Sequence, residues 1–375
     1  MGLVHRGWVL DVSRCPALPS LLAAHGYRTH LFGFQHEHYD AAALGYQERH
    51  AAPSHHADHV VDGLVAWLRE AATGAAAGPF FAGVGTSETH RQGMNPSGFR
   101  DERYHPFDSD RVLVPPWMPD IPEIREDLAD FYGCVAFLDS QFGRLLSALD
   151  ETGLSGGTVV LFTTDHGASF LHGKGSVYDG GVKTALLVRA PGLLPAGRRV
   201  AALTAHVDIL PTLFDLIGLP LPAGIQGRSF AAQARGEGGG RRFVFGEKNY
   251  TNYYDPARWV RTDRFKYVRK GLRTNVFDFV IPELELQRAD FRRLRAVWDF
   301  YSPRRHTEEL YDLESDPGEL RNLVEDGSCS TVLAELRAEL DRHLERTDDP
   351  FRHLRNDLAL PRDTYEAVRN SREAG

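Results

Sequence analysis

The sequence predicts an α/β fold: a mostly parallel sheet sandwiched by helices, with a small antiparallel C-terminal α+β subdomain. Three observations carry this. Apolar runs rich in branched and aromatic residues, 79–85 and 158–162, read as fully buried strands of a parallel sheet. Amphipathic stretches at 60–70 and 122–149 lie around them and read as covering helices. Beyond residue 240 the pattern changes to short strands with a tight turn, which reads as an antiparallel unit.

The chain has 375 residues, more than one core usually holds, so two units are expected: 1–235 and 241–375. The Gly-rich stretch 234–240 is the clearest linker between them. Charged residues at 25% and hydrophobic residues at 42% describe a water-soluble globular chain. A net charge of -8 argues against a nucleic-acid partner held through phosphates. No apolar run approaches about 18 residues, so no membrane span is expected. The first residues lack the apolar core of a signal peptide. Three scattered cysteines, Cys15, Cys134 and Cys329, suggest no disulfide framework. Together these favour the cytoplasm for the chain as it stands.

Taken in order, Leu18, Leu21 and Leu22 share a helical face, and Gly26 stops that helix. Residues 27–34 make a short strand leading to His36 and His38. In the helix over 60–70, Val61, Leu64, Val65 and Leu68 face one side. His55, His56 and His59 read as exposed positions before and on it. Residues 71–78 read as a loose connector, and the strand 79–85 runs into Thr86-Ser87-Glu88-Thr89-His90-Arg91. Residues 94–122 show no period, and their prolines keep 112–121 extended. Pro122 opens a long helix. Its Leu128, Phe131, Tyr132, Val135, Leu138, Phe142, Leu145 and Leu146 form one broad buried stripe.

The strand 158–162 ends in Thr164-Asp165-His166-Gly167. Open α/β sheets hold ligands at the carboxyl ends of their strands. A carboxylate beside an imidazole there is a candidate metal pair, or equally an Asp-capped turn with a chance His. A loop bearing Lys174 follows, then the Gly180-Gly181 turn and a second apolar run, 185–188. An edge strand is expected at 200–204, and a helix at 206–218 with Asp208 capping its start. In the C-terminal unit, strands fall at 243–247, 259–262, 265–270 and 308–313, with a helix at 333–344. Arg258 and Arg261 read as solvated.

The segment T-T-D-H-G, then H-G-K-G-S-V-Y-D-G-G-V-K and L-L-V-R-A-P-G, resembles the sulfatase family of the alkaline phosphatase superfamily. The likeness extends to 19–38 (P-S-L-L…G-Y-R-T), to H-V-D-I-L-P-T-L, to G-R-S-F, and to E-L-Y-D-L-E-S-D-P-G-E-L-R-N-L. Residues 107–115 are similar to the heparan N-sulfatase (sulfamidase) branch. That loop would then shape substrate choice. The resemblance implies hydrolysis of a sulfate ester or sulfamate on a small molecule or saccharide. It implies that Asp165 and His166 bind a divalent metal, calcium first and magnesium or manganese next. It implies that Lys174, His90 and His36 serve as catalytic residues around the sulfate.

The sequence departs from the family at the nucleophile. Members carry paired aspartates on a strand, then C-x-P-S-R or S-x-P-S-R, whose Cys or Ser matures to formylglycine. Neither pattern occurs here. Cys15 precedes Pro16-Ala17-Leu18-Pro19, with no Arg at the last motif position, so no nucleophile is assigned. Phe34 also stands where members have a Lys. A phosphoryl or phosphonate ester hydrolase, or a non-catalytic binding protein of the same fold, are the alternatives.

Overall fold

A computed structural model describes residues 10–75, 78–91, 98–170, 172–250, 254–271 and 306–352. The α/β architecture is the one the sequence predicts. Helix α1 (Leu18–Ala24) leads into β1 (Arg28–Gly33), whose residues 29–32 are buried. Strand β2 (Glu48–His50) and strand β3 (Phe80–Gly85) both pair parallel with β1, giving the order β2-β1-β3. Helix α2 (Ala57–Glu70) starts three residues before the predicted stretch. Its Val60, Val61, Leu64, Val65, Trp67 and Leu68 pack with Phe32 of β1. Burying each such side chain contributes roughly 1.5–3 kcal/mol before entropy is counted.

Helix α3 (Pro122–Glu151) joins the same core through Ala148 and Leu149. The broad stripe expected on it is only partly sealed. Leu128 is buried, but Val135 is 40% exposed and Phe142 and Leu146 line an open cleft. Residues 98–121 are more than a surface loop. Phe99, Tyr104, Val112 and Met118 form a second core against α3, with Ile124, Leu128 and Cys134. The stretch holds a 3-10 turn, Ser109–Arg111, and a turn closed by the Met118 amide on the Pro115 carbonyl, and its apolar residues reach inward.

Strand β4 (Val160–Thr163) corrects the sequence expectation. It pairs antiparallel with β5 (Leu186–Arg189), and its four residues are half-buried. An apolar run encodes burial but not direction. The Gly-rich loop between the two runs returns the chain onto its own preceding strand. Among the described residues β3 pairs with β1 alone and β4 with β5 alone, so the parallel sheet has three strands. The edge strand expected at 200–204 is a single bridge, Leu203 to Arg241.

Short helix α4 (Asp179–Val182) closes the Gly-rich loop. Helix α5 (Ile209–Ile217) ends at Gly218 in the left-handed region, φ 72°, as its sequence requires. Asp208 precedes it, fully buried, accepting from the amides of Ala205 and Arg228 at 2.8 Å each. Helix α6 (Ala231–Arg235) ends at Gly236. Then β6 (Val244–Tyr250), β7 (Tyr254–Arg261), β8 (Phe265–Lys270) and β9 (Glu308–Asp312) form one antiparallel sheet in chain order. Helix α7 (Ser330–Arg346) lays Leu333, Leu336, Leu340 and Leu344 on Val260, Tyr267 and Leu310. Among the described residues no helix is long and apolar enough to cross a membrane.

Candidate active site

The loops after β1, β3 and β4 carry the five residues that the sequence singles out. His36 follows β1, exposed, with its ring 4.9 Å from that of Phe34. His90 follows β3. Its neighbour Arg91, which the sequence reading passed over, holds that loop in place. The Arg91 guanidinium is buried and grips Asp127 of α3 at 2.5 and 3.1 Å. It also donates to the Ser169 carbonyl at 3.0 Å and lies over the Phe99 ring at 4.3 Å. A bidentate, desolvated Arg–carboxylate pair of this kind is geometrically specific.

Asp165 and His166 leave β4 together. The Asp165 carboxylate is 85% exposed and stands 3.2 Å from His166 Nε2. His166 Nδ1 lies 2.8 Å from the Gly167 carbonyl. A carbonyl only accepts, so Nδ1 carries a hydrogen, and Nε2 is the ring nitrogen that faces the carboxylate. His90 has the same arrangement. Its Nδ1 donates to the Arg91 carbonyl at 2.6 Å, which leaves Nε2 as the free acceptor.

Lys174 comes from the loop between β4 and β5. Glycines let that loop fold this tightly. A Cβ on Gly167 would sit 1.9 Å from the Gly180 carbonyl, and one on Gly181 would sit 2.4 Å from the Gly173 carbonyl. The His172 ring stacks on Tyr178 at 3.8 Å and 7°. The Lys174 amide donates to Ala168 at 2.9 Å. Thus fixed, the loop sends Lys174 Nζ to His90 Nε2 at 3.1 Å. His90 is also within the fields of His166 and Asp165. Its partial burial, and then the Lys174 ammonium, lower its pKa below the usual histidine value.

The structure therefore joins His90 to Lys174 directly and sets both near Asp165 and His166. An open cleft of 2070 Å³ is lined by His36, Asp165 and His166, together with Phe142, Leu146 and Val160. His90 and Lys174 are not among its lining residues.

As a metal pair, Asp165 and His166 fit in chemistry and spacing. A carboxylate oxygen and an imidazole lone pair about 3 Å apart can share one cation with bonds of about 2.0–2.4 Å. They supply two ligands of the six or so that a hard cation takes. Among the described residues, Glu88 and Asp179 are engaged elsewhere. Glu88 accepts from the Ala57 amide at the start of α2, from Tyr104 and from His56, each at 2.8 Å. Asp179 is held by Arg261 at 2.5 Å and Lys266 at 3.2 Å.

Those contacts correct two further expectations. His56 is a half-buried partner of Glu88, and His59 bonds Ser54 at 2.8 Å, so neither is a plain exposed residue. Arg258 is buried on Asp349 at 2.7 and 3.1 Å, and Arg261 ties the Gly-rich loop to the C-terminal sheet. In the same layer Lys266, fully buried, reaches Glu319 at 3.0 Å, and Tyr178 bonds Glu309 at 3.0 Å. The C-terminal sheet is thus the platform under the Lys174 loop. Sequence could not show this, because Tyr178 and Glu309, Arg258 and Asp349, and Arg261 and Asp179 each lie 82 or more residues apart.

Known proteins share this arrangement of strands and loops. Residues 9–219 match the sulfatase family, and residues 167–285 match the C-terminal region of N-sulphoglucosamine sulphohydrolase. The ulvan-active sulfatase of Formosa agariphila is 30% identical over 246 residues, 63% of this chain and 41% of that protein. Human N-sulphoglucosamine sulphohydrolase is 29% identical over 272 residues, 67% of this chain and 53% of that one. The chain thus spans about half the length of the curated relatives it matches. A crystal structure of a putative sulfatase from Bacteroides thetaiotaomicron superposes with a TM-score of 0.64 at 25% identity, covering 93% of this chain and 78% of that one. A phosphonate monoester hydrolase from Agrobacterium radiobacter superposes equally well, TM-score 0.64, but at 21% identity it shows the fold alone. With the family match covering more than half of its length, the chain belongs to the sulfatase family.

Proposed function

We propose that this chain forms the metal- and sulfate-binding side of a sulfuric ester hydrolase site for sulfated saccharides, as sulfate ester or sulfamate. The observation that carries this is the 3.1 Å contact of Lys174 Nζ with His90 Nε2 beside the Asp165–His166 pair. In this reading Lys174 offsets the charge of the sulfuryl oxygens. His90, held through Nδ1, would donate to the leaving oxygen from Nε2 once that nitrogen has taken a proton from Lys174 Nζ, and His36 would relay a proton at the cleft wall. Asp165 and His166 would hold a divalent cation, calcium first and magnesium or manganese next, and that cation supplies polarisation of the sulfuryl group. The units 1–235 and 241–375 belong to the same reading. Support for a saccharide comes from relatives named for ulvan, for a hexuronate-2-O-sulfate and for N-sulphoglucosamine.

No residue of the described chain stands as nucleophile. Cys134 is buried, and Cys15 and Cys329 lack the formylglycine motif. The 375-residue chain by itself is therefore expected to bind sulfate and to turn over aryl sulfate slowly or not at all. An assay on the purified chain tests this beside Cys15→Ala and Lys174→Ala. Turnover that Cys15→Ala abolishes would overturn the assignment and make Cys15 the nucleophile. Preferential binding of methylphosphonate over sulfate would favour the phosphonate alternative, whose enzymes share this fold.

A further inference from the structure

A second group of metal-binding side chains lies outside the cleft, on the edge of the parallel sheet. Parallel register sets His30 of β1 opposite Glu48 of β2. Glu48 and His50 are two residues apart on β2, so both share the face that His30 occupies. His30 Nδ1 is 3.1 Å from His50 Nε2 and 3.5 Å from Glu48 Oε2, and the last two atoms are 4.0 Å apart. Among the described residues this is the group of three His, Cys or acidic side chains whose ligand atoms come this close.

We propose that His30, Glu48 and His50 form a Zn2+-binding site that fastens the short edge strand β2 to β1. Three atoms with those separations can all be reached from one point about 2.1 Å away, the usual Zn–N and Zn–O distance. Two imidazoles and one carboxylate are a zinc donor set, with the fourth position open to water. The exposures agree: His30 is sealed, while the His50 and Glu48 side chains are 25% and 42% exposed, so an ion can enter from solvent. Supporting contacts are already in place. Arg28 takes Glu48 Oε1 at 2.7 Å and leaves Oε2 turned to the histidines. The His50 ring stacks on Phe32 at 4.0 Å and 7°, and the His30 ring lies 4.4 Å from Trp67. Outer contacts of this kind orient metal ligands. His30 Nε2 has no hydrogen-bond partner in its buried setting, so the polar work of this ring falls to Nδ1. The competing arrangement is a plain hydrogen bond between two neutral imidazoles, which would need no ion.

The test uses the full chain with Asp165→Asn and His166→Ala, so that the cleft pair takes no part. Zn2+ is titrated by calorimetry, and Co2+ by its visible tetrahedral absorption. One equivalent of zinc bound below micromolar Kd, a tetrahedral cobalt spectrum, and a higher Tm with zinc are expected. His50→Ala and, separately, the size-conserving Glu48→Gln should each weaken binding at least tenfold with the far-UV circular dichroism unchanged. No saturable zinc binding, or binding that both variants leave intact, would overturn the proposal. So would an octahedral cobalt spectrum.

Discussion

Lys174 and His90 stand 84 residues apart in sequence, and their side-chain nitrogens meet at 3.1 Å. One comes from the Gly-rich loop after β4 and the other from the end of β3. Because His90 Nδ1 is committed to the Arg91 carbonyl, the lysine meets a ring whose hydrogen is already assigned. Removing the ammonium should raise the His90 pKa, since Lys174 is one of the groups lowering it. NMR titration of the His90 ring in Lys174→Ala against the parent chain measures this. An unchanged or lower pKa would contradict the contact.

Arg91→Met should cost about 3–5 kcal/mol of stability, because Asp127 is left buried without its cation. Urea denaturation read by circular dichroism gives the value. A loss under about 1 kcal/mol would show that the pair is not buried as described.

Gly167→Ala should destabilise the loop more than Gly218→Ala does. The first Cβ meets the Gly180 carbonyl, whereas the second meets nothing and faces only backbone strain of about 1 kcal/mol. Paired thermal melts decide between them, and equal losses would contradict the tight loop.

Cys134 should resist modification while Cys15 and Cys329 react. Burial pushes the Cys134 thiol up to about 12, and little thiolate forms near neutral pH. Counting thiols with Ellman's reagent should give two in the native protein and three after unfolding. Three rapid native equivalents would contradict the core around α3.

Acid should weaken the fold before its carboxylates protonate. Burial, with Lys266 and Lys270 nearby, holds His172 well below its usual pKa of 6.5, and burial lowers His343 too. A histidine with a depressed folded pKa is stable in its neutral form. Its contribution is complete above the unfolded value and is lost as pH falls below about 6.5. Tm should therefore drop between pH 7 and pH 5. A Tm that rises over that range would contradict the burial of these rings.

Much of the fold was legible. Strand β8 has the predicted bounds, Pro122 and Gly218 mark helix ends, and the leucines of α7 show their period directly. Local chemistry determines those features. The direction of β4 was not legible, because a four-residue run of Val, Leu, Phe and Thr pairs equally well either way until the loop geometry is known. The candidate site residues were legible as polar groups after strand ends; the structure joins His90 to Lys174 and Asp165 to His166, and puts His36 on the cleft that the second pair lines. What positions them was not. Arg91 finds Asp127, Arg258 finds Asp349 and Arg261 finds Asp179 only through the tertiary fold. The His30–Glu48–His50 group was hidden for the same reason, since only the β1–β2 register brings His30 onto its partners.

The central claim is that Asp165, His166, Lys174 and His90 act as one metal and sulfate site. A calorimetric double-mutant cycle tests it most directly, with inorganic sulfate titrated in the presence of saturating Ca2+. The parent chain, Lys174→Ala, Asp165→Asn and the double variant are compared. Coupling of at least fivefold in sulfate affinity between Lys174 and Asp165 is predicted, because Lys174 would contact the anion directly and Asp165 would act on the same anion through the cation it holds. Sulfate binding that is equal in all four proteins, or losses that add without coupling, would contradict the claim.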